Sequence, residues 1–318
     1  MEGYIARLML GDLLSQPSFQ ERLAAFLQIP AGASAIESFS AKLDLGTSRS
    51  GHNRTAHAVA LTVHTNDAEY RGNFAVKVST DNSMHVMSLD DCNSEVEISS
   101  ALRNDPVFRQ HCASSLGVIE AELSGERLDT CKQLLGTNGS RLRQNDAPSL
   151  KARAQLDSWA EGIPLRDLVR SREPAASERR EDAIRQSLLT IVKLWNEVEH
   201  GSKGVLFDTD ADDILIAADN RALFVDLDGG RKCGGPFELV AALAKFSLDI
   251  IKLSADLSQV GPLQQAHVIA DALVETLGPK RALEIGELAH KERDKFRAET
   301  RLLLLPSLLK QLEDTARQ

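Results

Sequence analysis

The sequence predicts an α+β protein of two lobes, with a β-rich front half and a mainly helical back half. Between residues 58 and 79, short apolar runs alternate with turn signals, a pattern typical of an antiparallel sheet. Beyond residue 162, apolar residues recur at helical spacing over long stretches. We therefore expect a helical extension at 1–36, a β-rich domain at 37–160 and a helical domain at 161–318.

The length, charge and composition of the chain argue against several classes of function. The chain of 318 residues is long enough for two domains that each bury a core. Its formal net charge of −9 argues against a nucleic-acid partner, because neutralising phosphates requires a basic surface. No segment has the length and apolarity of a membrane span, and the first residues lack the basic start of a signal peptide. The cysteines are scattered without a CxxC pair, which favours free thiols in a reducing cytoplasm.

The front half carries both helix and strand signals. Apolar stripes predict helix in the first thirty residues. Ala58–His64 and Asn73–Ser79 are β-like runs on either side of a turn signal, and Leu89–Leu102 has the pattern of a helix with an acidic cap. Residues 130–150 are polar and partly rich in Gly and Asn, so we expect a surface excursion there.

The back half is dominated by helical periodicity. Apolar residues repeat at 3.6-residue spacing from Ile184 to Val198 and again from Leu239 to Leu253. The last sixty residues predict two or three further helices, one of them over Leu302–Leu312.

An acidic hairpin is the most informative stretch of the chain. Two short apolar runs, Ile214–Ile216 and Leu223–Val225, are joined by the polar link Ala217–Arg221, which predicts a β-hairpin. Aspartates enter the hairpin at 208–213 and leave it at 226–228, so both sets should lie at one end. Clustered carboxylates repel one another unless a cation lies among them, and a hard divalent cation with a phosphate-bearing ligand is the natural occupant.

Two other interpretations of the acidic residues are a solvated surface loop and a calcium loop. Asp208, Asp210 and Asp212 alternate as at the start of an EF-hand loop. However, loop position six, which requires glycine, is Asp213, and position twelve is Asp219 in place of glutamate. The sequence therefore favours a catalytic or metal-binding loop over an EF-hand.

Taken in order, these parts resemble the protein kinases and their aminoglycoside-phosphotransferase-like relatives, over about residues 40–255. Phe74-Ala-Val-Lys77 looks like the strand that bears the phosphate-binding lysine, and Glu95 falls on the helix glutamate that pairs with it. Lysine suits this role because its long stem carries a point charge to the phosphates. The resemblance implies a protein-kinase-like fold with a β-rich N-lobe and a mainly helical C-lobe.

The resemblance also implies catalytic and metal-binding roles. Asp208 lies five positions before Asp213, as the catalytic aspartate of the family precedes its metal-binding asparagine. Asp208 would orient the acceptor hydroxyl and take its proton. Asp213 and Asp226 would hold Mg²⁺ or Mn²⁺ against the phosphates of ATP.

Nucleotide-binding residues follow from the same resemblance. Gly46 and Gly51 fall where the family has its glycine-rich loop over the phosphates. Trp159, Ala160 and Glu161 fall at the hinge, where backbone groups would hydrogen-bond adenine.

Several family residues are replaced in this chain. Leu206-Phe207 stand where the family has His-Arg or His-Gly, and Asp226-Leu-Asp228 stand in place of Asp-Phe-Gly. The resemblance implies transfer of the γ-phosphoryl group of ATP to a hydroxyl of a protein Ser/Thr or of a small molecule. We expect a bacterial enzyme that acts in the cytoplasm or after delivery to a host cell. The alternatives are a pseudokinase that serves as a scaffold or binding module, and a relative that transfers AMP or glutamate.

Overall fold

The protein was characterised through a computed structural model, in which the chain forms two compact units. One unit comprises Met1–Arg103 and Ser114–Trp159, and the other comprises Asn104–Ala113 and Ala160–Gln318. The structure describes residues 2–30, 36–50, 55–80, 89–134, 148–171, 173, 176–200, 203–207, 209–227, 234–254, 261–298 and 300–317.

The first unit is built on an antiparallel sheet. Its described strands are β1 (Ile36–Ser50), β2 (Thr55–Thr65), β3 (Glu69–Thr80), β4 (Ser115–Ser124) and β5 (Ser149–Ser158). They lie side by side in the order β1-β2-β3-β5-β4. The two strands predicted over 58–64 and 73–79 are confirmed as parts of β2 and β3. Strand β3 pairs with β2 on one edge and β5 on the other, and its residues from Phe74 to Thr80 are all buried.

The helices of the first unit are α1 (Glu2–Leu14), α2 (Pro17–Phe26), α3 (Leu89–Leu102) and α5 (Gly125–Leu134), while α4 (Pro106–His111) belongs to the second unit. The N-terminal helices and the helix over Leu89–Leu102 are confirmed. The predicted surface excursion is wrong at both ends, because residues 130–134 continue α5 and residues 149–150 begin β5. Residues 135–147 lie outside the described part.

Helices α1 and α2 pack against one face of the sheet and share its core. Phe19 of α2 is fully buried and lies over Gly117 of β4, where a Cβ atom would come within 2.5 Å of the Phe19 ring. Arg22 donates a hydrogen bond from Nε to the carbonyl oxygen of Leu116 at 2.6 Å. The main contributors to this core are Ile5, Met9, Leu13, Phe19, Leu23, Val59, Leu61, Phe74, Val76 and Leu156. The first helices are therefore part of the hydrophobic core of the unit.

The second unit is mainly helical. Its further elements are β6 (Ile163–Pro164), α6 (Leu165–Arg170), α7 (Ala176–Glu197), β7 (Glu199–His200), β8 (Lys203–Gly204), β9 (Ile214–Ile216), β10 (Ala222–Phe224), α8 (Pro236–Leu253), α9 (Pro262–Leu277), α10 (Pro279–Lys291) and α11 (Leu305–Ala316). The predicted apolar periods are confirmed in α7 and α8. Their periodic residues from Ile184 to Trp195 and from Leu239 to Ile250 are buried, while Leu253 is half-buried. Of the described helices, none has the length and apolarity needed to cross a membrane.

The predicted hairpin is confirmed as the pair β9–β10. Its register places Phe224 opposite Ile214 and Ala222 opposite Ile216. The Ala217 N–H donates to the Arg221 carbonyl at 2.9 Å and closes the turn. The other edge of β9 pairs with β6, which gives a small sheet in the order β10-β9-β6.

Cysteine chemistry is suppressed by burial. Cys92, Cys112 and Cys131 are buried and form no disulfide within the described part of the chain, and Cys233 lies outside the described residues. Burial raises the pKa of Cys112 well above its ordinary value and also raises the pKa of Cys131. Because the thiolate is the reactive form, these two side chains are poor nucleophiles at neutral pH.

We expect Phe19→Ala to lower the free energy of unfolding by about 3–5 kcal/mol, because it opens a cavity between α2 and the sheet. Phe26→Ala on the same helix is the matched control, since Phe26 is 38% exposed and should cost less. Urea denaturation of the full chain measures both values. Equal losses in the two variants would contradict the docking of α2 through Phe19.

A second prediction concerns the pH dependence of stability. Burial lowers the pKa of His111, and its hydrogen bond with the Ala222 carbonyl opposes this only in part. In the unfolded chain the pKa returns to about its ordinary value of 6.5, so the unfolded state binds the proton first as pH falls. The contribution of neutral His111 to stability is therefore complete above about pH 6.5 and is lost progressively below it.

Urea denaturation between about pH 7.5 and pH 5 tests this dependence. We expect the fall in the free energy of unfolding on acidification to be smaller in His111→Gln than in the wild type. His267→Gln on α9, where the side chain is about half exposed, is the control and should follow the wild type. An unchanged profile in His111→Gln would refute the assignment.

Candidate functional site

Lys77 lies on β3 within a run of seven buried residues, from Phe74 to Thr80. Phe74, Val76 and Val78 belong to the core shared with α1 and α2. Since successive side chains of a strand alternate between faces, Lys77 points to the opposite face. It is only 7% exposed there, so its ammonium group needs partners within the protein.

A buried polar network supplies these partners. Lys77 Nζ lies 2.7 Å from Asp157 Oδ2 of β5. Gln155, directly opposite Lys77 in the β3–β5 ladder, has its Nε2 within 2.8 Å of Glu95 Oε2, 2.9 Å of Ser115 Oγ and 3.0 Å of Asp157 Oδ1. We call Lys77, Glu95, Ser115, Gln155 and Asp157 the Lys77 network. It joins β3, β4 and β5 to α3 by polar contacts.

Burying the charged groups of this network costs free energy. Glu95 is 1% exposed and Asp157 is 3% exposed, so each carboxylate has lost nearly all of its water. Removing an ion from water costs several kcal/mol, which only close pairing and further hydrogen bonds offset. Ser99 of α3 extends the connection, because its Oγ accepts the backbone N–H of Ser115 at 2.9 Å.

Neither Gln155 nor Asp157 is predicted from the sequence. Strand β5 alternates apolar residues at 150, 152, 154 and 156 with polar residues between them. Such alternation normally indicates a strand with one face in water. The signal for the network is therefore present but ambiguous, because only the position of α3 places that polar face inside the protein.

Of the other residues predicted to bind nucleotide in the first unit, the structure describes Gly46 and Trp159. Gly46 lies in the second half of β1, where the β1–β2 register shifts between Asp44 and Ser48. Gly51 lies outside the described residues. Trp159 directly follows β5, and its N–H donates to the Asn73 carbonyl at 3.0 Å.

The other predicted hinge residues, Ala160 and Glu161, begin the second compact unit. They precede β6 and α6, so the predicted passage from strand through a short connection to a helix is confirmed.

In the second unit, the loop formed by residues 209–213 is anchored on α8. The backbone N–H of Ala211 donates to Asp249 Oδ2 at 3.0 Å, and Thr209 Oγ1 donates to the Ala242 carbonyl at 3.2 Å. Residues 211–213 then form a short 3₁₀ turn that leads directly into β9. The loop conformation is therefore set by side chains and carbonyls of α8.

Two aspartates of this loop are paired with cations of the protein. Asp210 Oδ1 lies 3.1 Å from Lys245 Nζ of α8. Both carboxylate oxygens of Asp212 accept hydrogen bonds from Arg166 Nη1 of α6, at 2.9 and 2.8 Å. Part of the positive charge that the clustered aspartates require is thus supplied by the chain itself.

The hairpin brings the predicted metal ligands Asp213 and Asp226 to the same end. The N–H of Val225 donates to the carbonyl of Asp213 at 2.9 Å, and Asp226 is the next residue. Asp213 and Asp226 are both half-buried. Asp208, the predicted catalytic residue, lies outside the described part.

The residues that replace the family His-Arg pair serve packing. Leu206 and Phe207 are buried, and the Phe207 ring centroid lies 6.2 Å from those of both Phe108 and Phe224. This aromatic contact connects α4, the segment before the loop and β10.

A divalent cation is compatible with the donor chemistry at the end of the hairpin. Within the described ranges, no group of three or more His, Cys, Asp or Glu side chains has an arrangement that could hold a metal ion. Mg²⁺, however, is commonly held by one or two carboxylates together with substrate phosphates and water. Asp213 and Asp226 would meet that requirement once phosphates complete the coordination.

A double-mutant cycle on Lys77 and Asp157 tests the network. We expect Lys77→Met and Asp157→Asn each to cost about 3–5 kcal/mol of stability, because each leaves a buried polar partner uncompensated. The double variant should cost less than the sum by more than about 1 kcal/mol. The exposed pair Arg71–Glu69, also on β3, is the control, with an expected coupling of about 0.2–1 kcal/mol. Coupling no larger than in this control would contradict a buried ion pair.

Comparisons of the chain with protein-family models and with curated proteins find no match.

Proposed function

We propose that the protein is an ATP-dependent phosphotransferase of the protein-kinase-like type, which transfers the γ-phosphoryl group to a hydroxyl. The observation that carries the proposal is the Lys77 network, in which a lysine of the third strand shares buried contacts with Glu95 of the following helix, through Asp157 and Gln155. In protein kinases, the lysine of the third strand and the glutamate of the next helix form the pair that positions ATP. An ion pair that served only to stabilise the sheet would be complete with Lys77 and Asp157 and would not require a glutamate from the following helix.

The acidic hairpin supports the same proposal. Kinase-type sites hold Mg²⁺ through one side chain of the catalytic loop and the aspartate of the Asp-Phe-Gly motif. Asp213 and Asp226 occupy these two places in the chain and lie at one end of the hairpin. They would hold Mg²⁺ or Mn²⁺, which neutralises charge on the transferring phosphoryl group. Asp208 would orient the acceptor hydroxyl and accept its proton.

Nucleotide and acceptor contacts complete the proposal. Gly46 and Gly51 would cover the phosphates, and the backbone of Trp159 to Glu161 would contact adenine. The acceptor is a protein Ser/Thr in the version that we favour, which makes the chain an atypical protein kinase. A small-molecule hydroxyl is the alternative acceptor.

A second candidate function is a pseudokinase that binds a partner without phosphotransfer. It is favoured by the 2.7 Å contact between Lys77 and Asp157, because a carboxylate of the same sheet then competes with phosphate for the ammonium group. The burial of Leu206 and Phe207 in an aromatic cluster is consistent with this candidate.

The first test is the melting temperature with and without ATP and Mg²⁺. Ligand at about 100 times its dissociation constant adds about 2.7 kcal/mol, which raises the melting temperature by several degrees. We expect a metal-dependent shift in the wild type that Asp226→Asn abolishes. Asp219→Asn, in the turn at the other end of the same hairpin, is the matched control and should keep the shift. No shift in the wild type would refute nucleotide binding.

Mass spectrometry of the reaction products distinguishes the candidates. Incubation with ATP, Mg²⁺, glutamate and a mixture of acceptor proteins should add phosphate in the wild type and not in Asp208→Ala. An added AMP or glutamate would instead identify a different transfer reaction, and a thermal shift without any transfer would favour the pseudokinase.

A further inference from the structure

A cavity lies within the second unit, beside α8. Its volume is about 330 Å³, and it is lined by residues of α8 together with Asp210, Lys295, Phe296, Arg297 and Thr300. Ligand pockets of proteins usually range over roughly 300–1,000 Å³, so this cavity suits a small organic molecule.

Part of the lining is apolar and aromatic. Phe237, Ala241, Leu248 and Phe296 contribute it. The rings of Phe237 and Phe296 lie 4.6 Å apart between centroids, with an angle of 55° between their planes. Such a surface favours a ligand with a flat apolar body, because aromatic rings pack well against tilted rings.

The remaining lining is charged, with an excess of cations. Lys245, Lys252, Lys295 and Arg297 contribute positive charge, against the carboxylates of Asp210 and Asp249. This excess is notable in a chain whose formal net charge is −9. The cavity is therefore a local positive region in an acidic protein.

The existing contacts of these charges identify the groups available to a ligand. Asp249 already accepts the Ala211 N–H, and Lys245 already contacts Asp210. Within the described part of the chain, Lys252 and Arg297 take part in no ion pair. Lys295 lies 3.1 Å from Glu292 Oε1 and 5.6 Å from the Phe237 ring centroid. Lys252 and Arg297 are the cations best able to bind an incoming anion.

We propose that this cavity binds a small aryl phosphate. Its ring would pack against Phe237 and Phe296, and its phosphate would be held by Lys252 and Arg297. A phosphate monoester carries about −1.5 to −2 charges near neutral pH, which matches a cavity lined by several cations better than a single carboxylate does. Arginine in addition presents paired donors that fit phosphate oxygens.

Occupancy would also affect the loop at residues 209–213. Asp210 belongs to both the loop and the cavity, and its contact with Lys245 competes with a bound phosphate. The like charge of Asp210 further opposes the anion. Removing the charge of Asp210 should therefore increase the affinity for the phosphate. A substitution that merely disrupted the structure would decrease the affinity.

Isothermal titration of the full chain with phenyl phosphate tests the proposal. We expect saturable binding with a stoichiometry of one, weakened about tenfold or more in the double variant Lys252→Gln/Arg297→Gln. Asp210→Asn should tighten binding several-fold. The control Arg103→Gln/Lys151→Gln removes the same charge from exposed positions of the first unit and should leave the affinity unchanged. Inorganic phosphate should bind more weakly than phenyl phosphate.

Three results would each overturn the proposal. The first is no saturable binding of phenyl phosphate to the wild type at millimolar concentration. The second is an equal loss of affinity in the control double variant, which would indicate general charge attraction. The third is equal affinity for phenyl phosphate and inorganic phosphate, which would exclude a role for the aromatic lining.

Discussion

The opposite requirements of the two faces of β3 determine the architecture of the first unit. Val76 and Val78 enter an apolar core, while Lys77 between them enters a polar network. A slip of one residue in the pairing would exchange the faces, placing the ammonium in the core and valines against Glu95. The register of β3 with β5 is thus strongly specified, and the positions of α1 and α2 on one face and of α3 on the other follow from it.

In the second unit, helix α8 determines the position of the acidic loop and hairpin. The side chain of Asp249 and the carbonyl of Ala242 hold the loop at residues 209–213, and that loop leads directly into the hairpin that carries Asp213 and Asp226. The geometry of the acidic groups therefore depends on the burial of the apolar side of α8.

The distribution of charge connects the loop with the cavity. Arg166 and Lys245 compensate the charges of Asp212 and Asp210 in the loop that leads to Asp213, one of the two predicted ligands at the hairpin end. Lys245 at the same time lines the cavity beside α8. A single lysine therefore contacts both the loop that precedes the proposed metal site and the positive region proposed to bind an aryl phosphate.

The elements whose signals are local can be predicted from the sequence alone. The bounds of α3, the turn between β9 and β10 and the apolar periods of α7 and α8 depend on residues close together in the chain, so period and turn residues were sufficient. The tertiary structure decided which polar residues are buried together. Gln155 and Asp157 have the pattern of a solvent-facing strand, and Lys252 and Arg297 are far apart in the chain. Alternation along a strand does not distinguish water from a covering helix, and only packing brings distant charges to one cavity.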